Sequence, residues 1–158
     1  MNTLLIAILL IAAPTVKPTL TPIDEAGYSA LVQQHAGKVI LMDIWAAWCE
    51  PCRAETPALV KLSKQLGPRG LDYVTVTLDS PGELSYAEKF LHRNLVPFPA
   101  YYRKTENEDT WVHNVNPQWT GTLPALFLYD RKGRLAKSFI GSAPPDVIES
   151  AIRELLGR

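Results

Sequence analysis

The chain has 158 residues, with 16 basic residues balanced by 16 acidic ones, and two cysteines. That length suits a single domain with a substantial core of its own. A net charge of zero leaves no electrostatic footprint for a nucleic-acid partner, so none is expected.

The first landmark is Leu4–Ala13, an unbroken apolar run followed by Pro14. It is too short for an ordinary transmembrane helix and the right length for a signal-peptide core. Met1-Asn2-Thr3 supplies no Lys or Arg, and Pro14 is unfavourable directly after a cleavage point at Ala13. A retained short anchor reaching Val16 is therefore the second reading, and an N-terminal strand or helix packed on the core the third. Thr15–Pro22, with two prolines and three threonines, reads as an extended linker. The organisation expected is a leader or anchor plus linker over 1–22 and a folded domain over 23–158. Export would place the domain in an oxidising compartment, periplasmic or secreted, where a lone Cys-x-x-Cys pair is an expected thiol inventory.

Residues 24–36 predict a short amphipathic helix with Ala26, Ala30, Leu31 and Gln34 in register and Gly37 as its stop. Val39–Trp45 is a strongly apolar run and predicts a buried strand. A helix from Glu50 to Leu66 follows, burying Leu59, Leu62 and Leu66, with Pro57 inside it. Leu71–Leu78 alternates as the next strand. Ser80-Pro81-Gly82-Glu83 is a capping box that opens a helix carrying Leu84, Ala87, Phe90 and Leu91 on one side and stopping near Asn94. Residues 96–121 are rich in aromatics and have no clear period. Val96–Tyr102 is held extended by its prolines, and Lys104–Asp109 reads as a solvated turn. Phe127–Tyr129 and Leu135–Ile140 form a hairpin about Asp130–Gly133. Pro144-Pro145 then starts a last helix with Val147, Ile148, Ala151, Ile152 and Leu155 facing inward. This alternation predicts an α/β domain, a central sheet with helices on both faces.

The chemistry centres on Trp48-Cys49-Glu50-Pro51-Cys52, which directly follows the apolar strand. Thiols three positions apart meet on the first turn of a helix, at a separation that disulfide geometry permits. The helix N-terminus favours a thiolate at Cys49, while Cys52, a turn deeper, stays protonated until it resolves a mixed disulfide. Two other readings stand beside this one. A zinc site wants four Cys or His ligands, and His35, His92 and His113 lie scattered without ligand spacing. A purely structural disulfide would close too short a loop to constrain the unfolded chain much.

Asp43 is a carboxylate inside an otherwise apolar strand. Unpaired and buried, it would hold a proton near neutral pH, which suits a proton acceptor for Cys52; the alternative is an acid that reaches solvent at the strand end. Glu55 lies three residues after Cys52 on the same helix face, where a negative charge raises both thiol pKa values; the alternative is an ordinary surface glutamate. Glu50, between the cysteines, also disfavours a thiolate modestly. Together these acids oppose the very low thiol pKa of a strong oxidant.

Asp43-Ile44-Trp45-Ala46-Ala47-Trp48-Cys49-Glu50-Pro51-Cys52 resembles the active-site segment of thioredoxins. Pro57 falls where that family carries its helix-kinking proline, and Thr122-Leu123-Pro124 resembles the loop bearing its cis-proline. Gly133 and Gly141 fit the hairpin turn and strand end that follow. The resemblance spans roughly residues 23–157. Cys49-Glu50-Pro51-Cys52-Arg53-Ala54-Glu55 is similar, more narrowly, to the TlpA/ResA type of exported thiol-disulfide proteins. The resemblance implies a thioredoxin fold with a central mixed sheet, and an insertion at 96–121 before the cis-proline loop. It also implies a protein-disulfide oxidoreductase in which Cys49 and Cys52 form the redox-active disulfide, with Asp43 and Glu55 managing the proton. Trp48, Pro51, Leu123 and Pro124 are the substrate-contact residues it implies.

The expected activity is reduction of partner-protein disulfides, with cytochrome c maturation as the process the subgroup implies. Electrons would come from another dithiol protein, such as a membrane carrier. A monomer without bound cofactor or metal is expected, and His113 receives no role. The rival functions are a disulfide donor of the same fold and a copper carrier using the two thiolates and His113. The insertion at 96–121 is either a substrate-contacting element or a lid over the sheet edge.

Overall fold

A computed structural model describes residues 19–157 of the chain. The apolar run Leu4–Ala13, and the leader and anchor readings attached to it, lie outside the described residues. Val39–Trp45 forms β2, and every residue in it is buried. A strand covered on both faces needs such a near-continuous apolar run. It pairs parallel with β3 (Leu71–Thr77) and antiparallel with β5 (Ala125–Tyr129). With β1 (Thr21–Ile23), β4 (Tyr101–Arg103) and β6 (Leu135–Ile140), these strands make one sheet of order β1-β4-β3-β2-β5-β6.

The helices are α1 (Glu25–Gln34), α2 (Glu50–Leu66), α3 (Leu84–Arg93), α4 (Glu108–Val115) and α5 (Pro145–Leu156). Alternation along β2 sorts them into two layers. Leu41 and Trp45 pack with Leu59 and Leu62 of α2, Leu91 of α3, and Ile148 and Ile152 of α5. Ile40, Met42 and Ile44 pack on the opposite face with Leu31 of α1, Trp111 of α4 and Phe127 of β5. The mixed sheet covered on both sides is the expected α/β arrangement, the thioredoxin fold. Among the described residues no helix is long and apolar enough to cross a membrane.

Several local expectations are corrected. In α1 the inward residues are Tyr28, Leu31 and Val32, while Ala26, Ala30 and Gln34 are exposed. Tyr28 takes the inward position because its ring meets Trp111 edge-on at 5.6 Å and its hydroxyl pairs with that of Tyr129 at 2.9 Å. The linker ends earlier than its composition implies. Leu20 is buried, its N–H donates to Glu88, and Thr21–Ile23 adds a parallel edge strand to β4. Pro22 is tolerated there because an edge strand has a free side. Val147 is exposed rather than inward.

The segment 96–121 is more ordered than predicted. It contributes β4 and α4, and the side chain of Asn107 caps α4 by accepting from Thr110 N–H at 2.9 Å. Trp111 and Trp119 are buried, and Trp119 stacks edge-on against Phe127 at 5.4 Å. The insertion therefore extends the sheet and covers its face. The expected capping box forms only in half: the Glu83 carboxylate accepts from the N–H and hydroxyl of Ser80, but Glu83 N–H donates to the Ser80 backbone carbonyl, so 80–83 is a turn and the helix begins at Leu84 with Glu83 as its N-cap.

Candidate active site

Cys49 sits at the N-cap of α2 with extended backbone, and its Sγ accepts from Cys52 N–H at 3.3 Å. The two cysteines are joined, with an S–S distance of 1.99 Å and Cα atoms 5.3 Å apart. Both are nearly buried. Pro51 occupies the first helical turn, where its missing N–H breaks no bond. Trp48, next to the disulfide, is by contrast exposed.

The loop from β2 to α2 is held from the neighbouring strand end. Ala47 N–H donates to Asp79 at 2.8 Å, and the Thr77 hydroxyl donates to the same carboxylate. Burial raises the Asp79 pKa, and these two bonds counter the rise. Its second oxygen and the indole nitrogen of Trp45 are buried and have no hydrogen-bond partner among the described residues. Sequence reasoning passed over Asp79. The available signal was an acid just past a buried strand, where open α/β sheets gather their functional groups.

Asp43 is buried on the same face of β2 as Leu41 and Trp45, towards α2. Its pKa is pushed up to about 7, chiefly by burial. The Tyr73 hydroxyl donates to it at 2.7 Å and opposes that rise, while the charge of Glu55 adds to it. Tyr73 stands opposite Leu41 in the β2–β3 register, so its phenol reaches diagonally to Asp43. The strand-end reading, an acid in solvent, does not apply.

Glu55 is half-buried rather than a free surface group. Its carboxylate accepts from Ala143 N–H at 3.3 Å and from Ser142. Burial raises its pKa, with those two bonds pulling the other way. Pro124 is buried behind a cis Leu123–Pro124 peptide, and the loop is pinned where Trp119 Nε1 donates to Thr122 O at 2.8 Å. Leu123 is half-buried and packs against both core clusters. A second cis peptide, Phe98–Pro99, was not anticipated. His113 is exposed on α4, and among the described residues no three His, Cys, Asp or Glu side chains gather where they could hold a metal.

The AhpC/TSA family model matches residues 12–138. The thiol-disulfide oxidoreductase ResA of Geobacillus kaustophilus is 26% identical over 145 residues, covering 92% of this chain and 79% of the relative. A candidate thiol:disulfide interchange protein DsbE of Chlorobium tepidum is 27% identical with a TM-score of 0.66, over 80% of this chain and 85% of that one. A thioredoxin family thiol:disulfide interchange protein of the same organism shares the fold, with 21% identity and a TM-score of 0.68, over 93% of this chain and 99% of that one. Fold, cysteine pair and ResA-like sequence make this a thiol-disulfide oxidoreductase, and the chain belongs to the AhpC/TSA family.

Proposed function

We propose that the protein reduces disulfides of partner proteins outside the cytoplasm, with Cys49 as nucleophile and Cys52 as resolving thiol. The observation that carries this reading is the Cys49–Cys52 disulfide at the N-terminus of α2, on the face where Asp43 is buried. The Cys49 thiolate attacks one sulfur of the partner disulfide and expels the other as a thiolate, leaving a mixed disulfide. Cys52 then passes its proton to the Asp43 carboxylate and attacks Cys49 Sγ. The partner's second sulfur leaves, and the Cys49–Cys52 bond closes; two electrons have moved to the partner. Another dithiol protein, such as a membrane carrier, returns them.

Electrostatics supports the reducing direction. The helix N-terminus favours a Cys49 thiolate, but Glu50, Glu55 and ionised Asp43 oppose negative charge near the pair. A reduced form that is poorly stabilised as thiolate gives electrons away more readily. Trp48, Pro51, Leu123 and Pro124 form the contact surface for the partner chain in this reading. Export is supported by the apolar run Leu4–Ala13, and a role in cytochrome c maturation by the Cys-Glu-Pro-Cys-x-x-Glu pattern.

The test is the reduction potential of the Cys49–Cys52 pair, equilibrated against dithiothreitol and glutathione buffers. A potential of about −230 to −270 mV supports a reductant; one near −120 mV overturns the direction and makes the protein a disulfide donor.

A further inference from the structure

Beside the disulfide, between the first turn of α2 and α3, lies a cavity of about 380 Å³ bounded by Ala47, Trp48, Arg53, Tyr86, Lys89 and Arg93. Its two aromatic walls face solvent, Trp48 being 63% and Tyr86 66% exposed. Phe90 lies at the bottom against the buried ring of Trp45 at 5.2 Å, which makes the floor part of the packed core. Exposed aromatics gathered at a concave site mark a binding surface more often than a bare one.

The charges around this cavity are lopsided. Arg53, Lys89 and Arg93 belong to none of the ion pairs found among the described residues. Lys89 Nζ instead lies 5.8 Å from the Tyr86 ring centroid. The two carboxylates that reach the cavity are turned to local partners. Asp79 accepts from Ala47 N–H and the Thr77 hydroxyl, and Glu83 from the N–H and hydroxyl of Ser80. The lining therefore holds three cations against two carboxylates that are engaged by local donors, a positive balance on a chain whose net charge is zero.

Resting on the exchange reading above, we infer that this cavity docks an acidic segment of the disulfide-bearing partner, a carboxylate-bearing stretch close in sequence to the cysteine that Cys49 attacks. The geometry sets the spacing. Trp48 and Arg53, which line the cavity, adjoin Cys49 and Cys52 in sequence, so the cavity borders the first turn of α2 that carries the reacting sulfurs. Tyr86, Lys89 and Arg93 follow one another along one side of α3, which at 1.5 Å per residue covers roughly 10 Å, or about three residues of an extended peptide. The partner's acids thus fall within the first few residues beside its cysteine. Other occupants lack the complementary charge. The first eighteen residues of this chain contain Lys17 and no acid, and a second copy meeting the cavity through the same patch would bring the same cations face to face.

The test compares two synthetic peptides with the same internal disulfide core, one flanked by Asp and Glu, the other by Lys and Arg. Turnover by the protein is driven with dithiothreitol. The acidic peptide should show about a tenfold higher kcat/KM at low ionic strength, with the preference shrinking as salt shortens the screening length below about 8 Å. K89E/R93E should bring the ratio to one or invert it, and R93E alone should move it part way. K132E, on the β5–β6 turn, should keep the parent ratio. Equal turnover of the two peptides, or a preference untouched by K89E/R93E, overturns the docking inference and leaves the exchange reading standing. Failure to turn over either peptide removes the exchange reading and this inference with it.

Discussion

The Tyr73 phenol donates to Asp43 at 2.7 Å, so the buried acid under the redox helix has one neutral donor, delivered from the adjacent parallel strand. A hydrogen bond to the ionised form favours ionisation, and it works against the burial that lifts Asp43 to about 7. Tyr73→Phe should therefore move the Asp43 titration upward from about 7. At pH above that midpoint it should also cost about 1–3 kcal/mol of stability, because a buried acceptor loses its donor. Carbon-detected NMR of the Asp43 carboxyl, with guanidinium unfolding at pH 6 and 8, checks both. An unmoved midpoint would show that the phenol packs beside the carboxylate without setting its charge.

Asp43 also makes stability depend on pH in a defined sense. Its folded pKa, about 7, lies above the ordinary 3.8, so between those values the folded state binds more protons than the unfolded state. Stability therefore falls as pH rises through this window and levels off above about 7, the full loss being about 4 kcal/mol. Asp43→Asn should flatten this slope and unfold later than the parent at pH 8, while matching it near pH 3. The same substitution removes the proton acceptor for Cys52. Resolution of the mixed disulfide should slow by roughly 10²-fold, read by rapid-quench trapping.

The charge of Glu55 raises the Asp43 pKa, and the charges of both raise that of Tyr73. Glu55→Gln keeps an acceptor for Ala143 N–H and removes the charge. The Asp43 midpoint should fall below about 7, and the thiols of the reduced pair should ionise at lower pH, followed by thiolate absorbance in the ultraviolet. The reduction potential should rise in step, since a better-stabilised thiolate makes a weaker reductant. A change in the Asp43 midpoint with no change at the thiols would confine Glu55 to the acid pair.

Asp79 holds the loop that presents Trp48 and Cys49, through Ala47 N–H at 2.8 Å. Asp79→Ala should lower stability by about 1–3 kcal/mol and speed amide exchange at Ala47 well beyond that of β2. Hydrogen exchange resolved at single residues measures this. Uniform acceleration across β2 and the loop would mean global destabilisation instead of a lost clamp.

What could be read from the chain divides along sequence distance. Val39–Trp45 announced a doubly covered strand, and Cys49 with Cys52 announced a first-turn disulfide, because both depend on neighbours within a few positions. The donors to the site do not: Tyr73 meets Asp43 only through the Leu41–Tyr73 register, and Ala143 meets Glu55 across 88 positions. Residues 104–109 looked like a solvated turn by charge, yet Asn107 caps α4 and Glu108 and Asp109 fill its first turn. The two signals are the same at the level of composition, since acids also favour a helix N-terminus. What separates them is Trp111 and Val115, four positions apart and buried against the sheet.

The order of attack at the disulfide yields the sharpest contrast between two variants of similar size. Cys49 lies at the N-cap and Cys52 inside the helix, so only Cys49 has a thiolate favoured by the helix end. Cys49→Ser should abolish exchange with a disulfide peptide. Cys52→Ser should still attack but fail to resolve, so that one peptide half remains bound through Cys49 and is released by dithiothreitol. Intact-mass spectrometry distinguishes the two within one experiment. A stable adduct on Cys49→Ser, formed through Cys52, would reverse the assigned roles, because it would require the more deeply placed sulfur to reach the partner first.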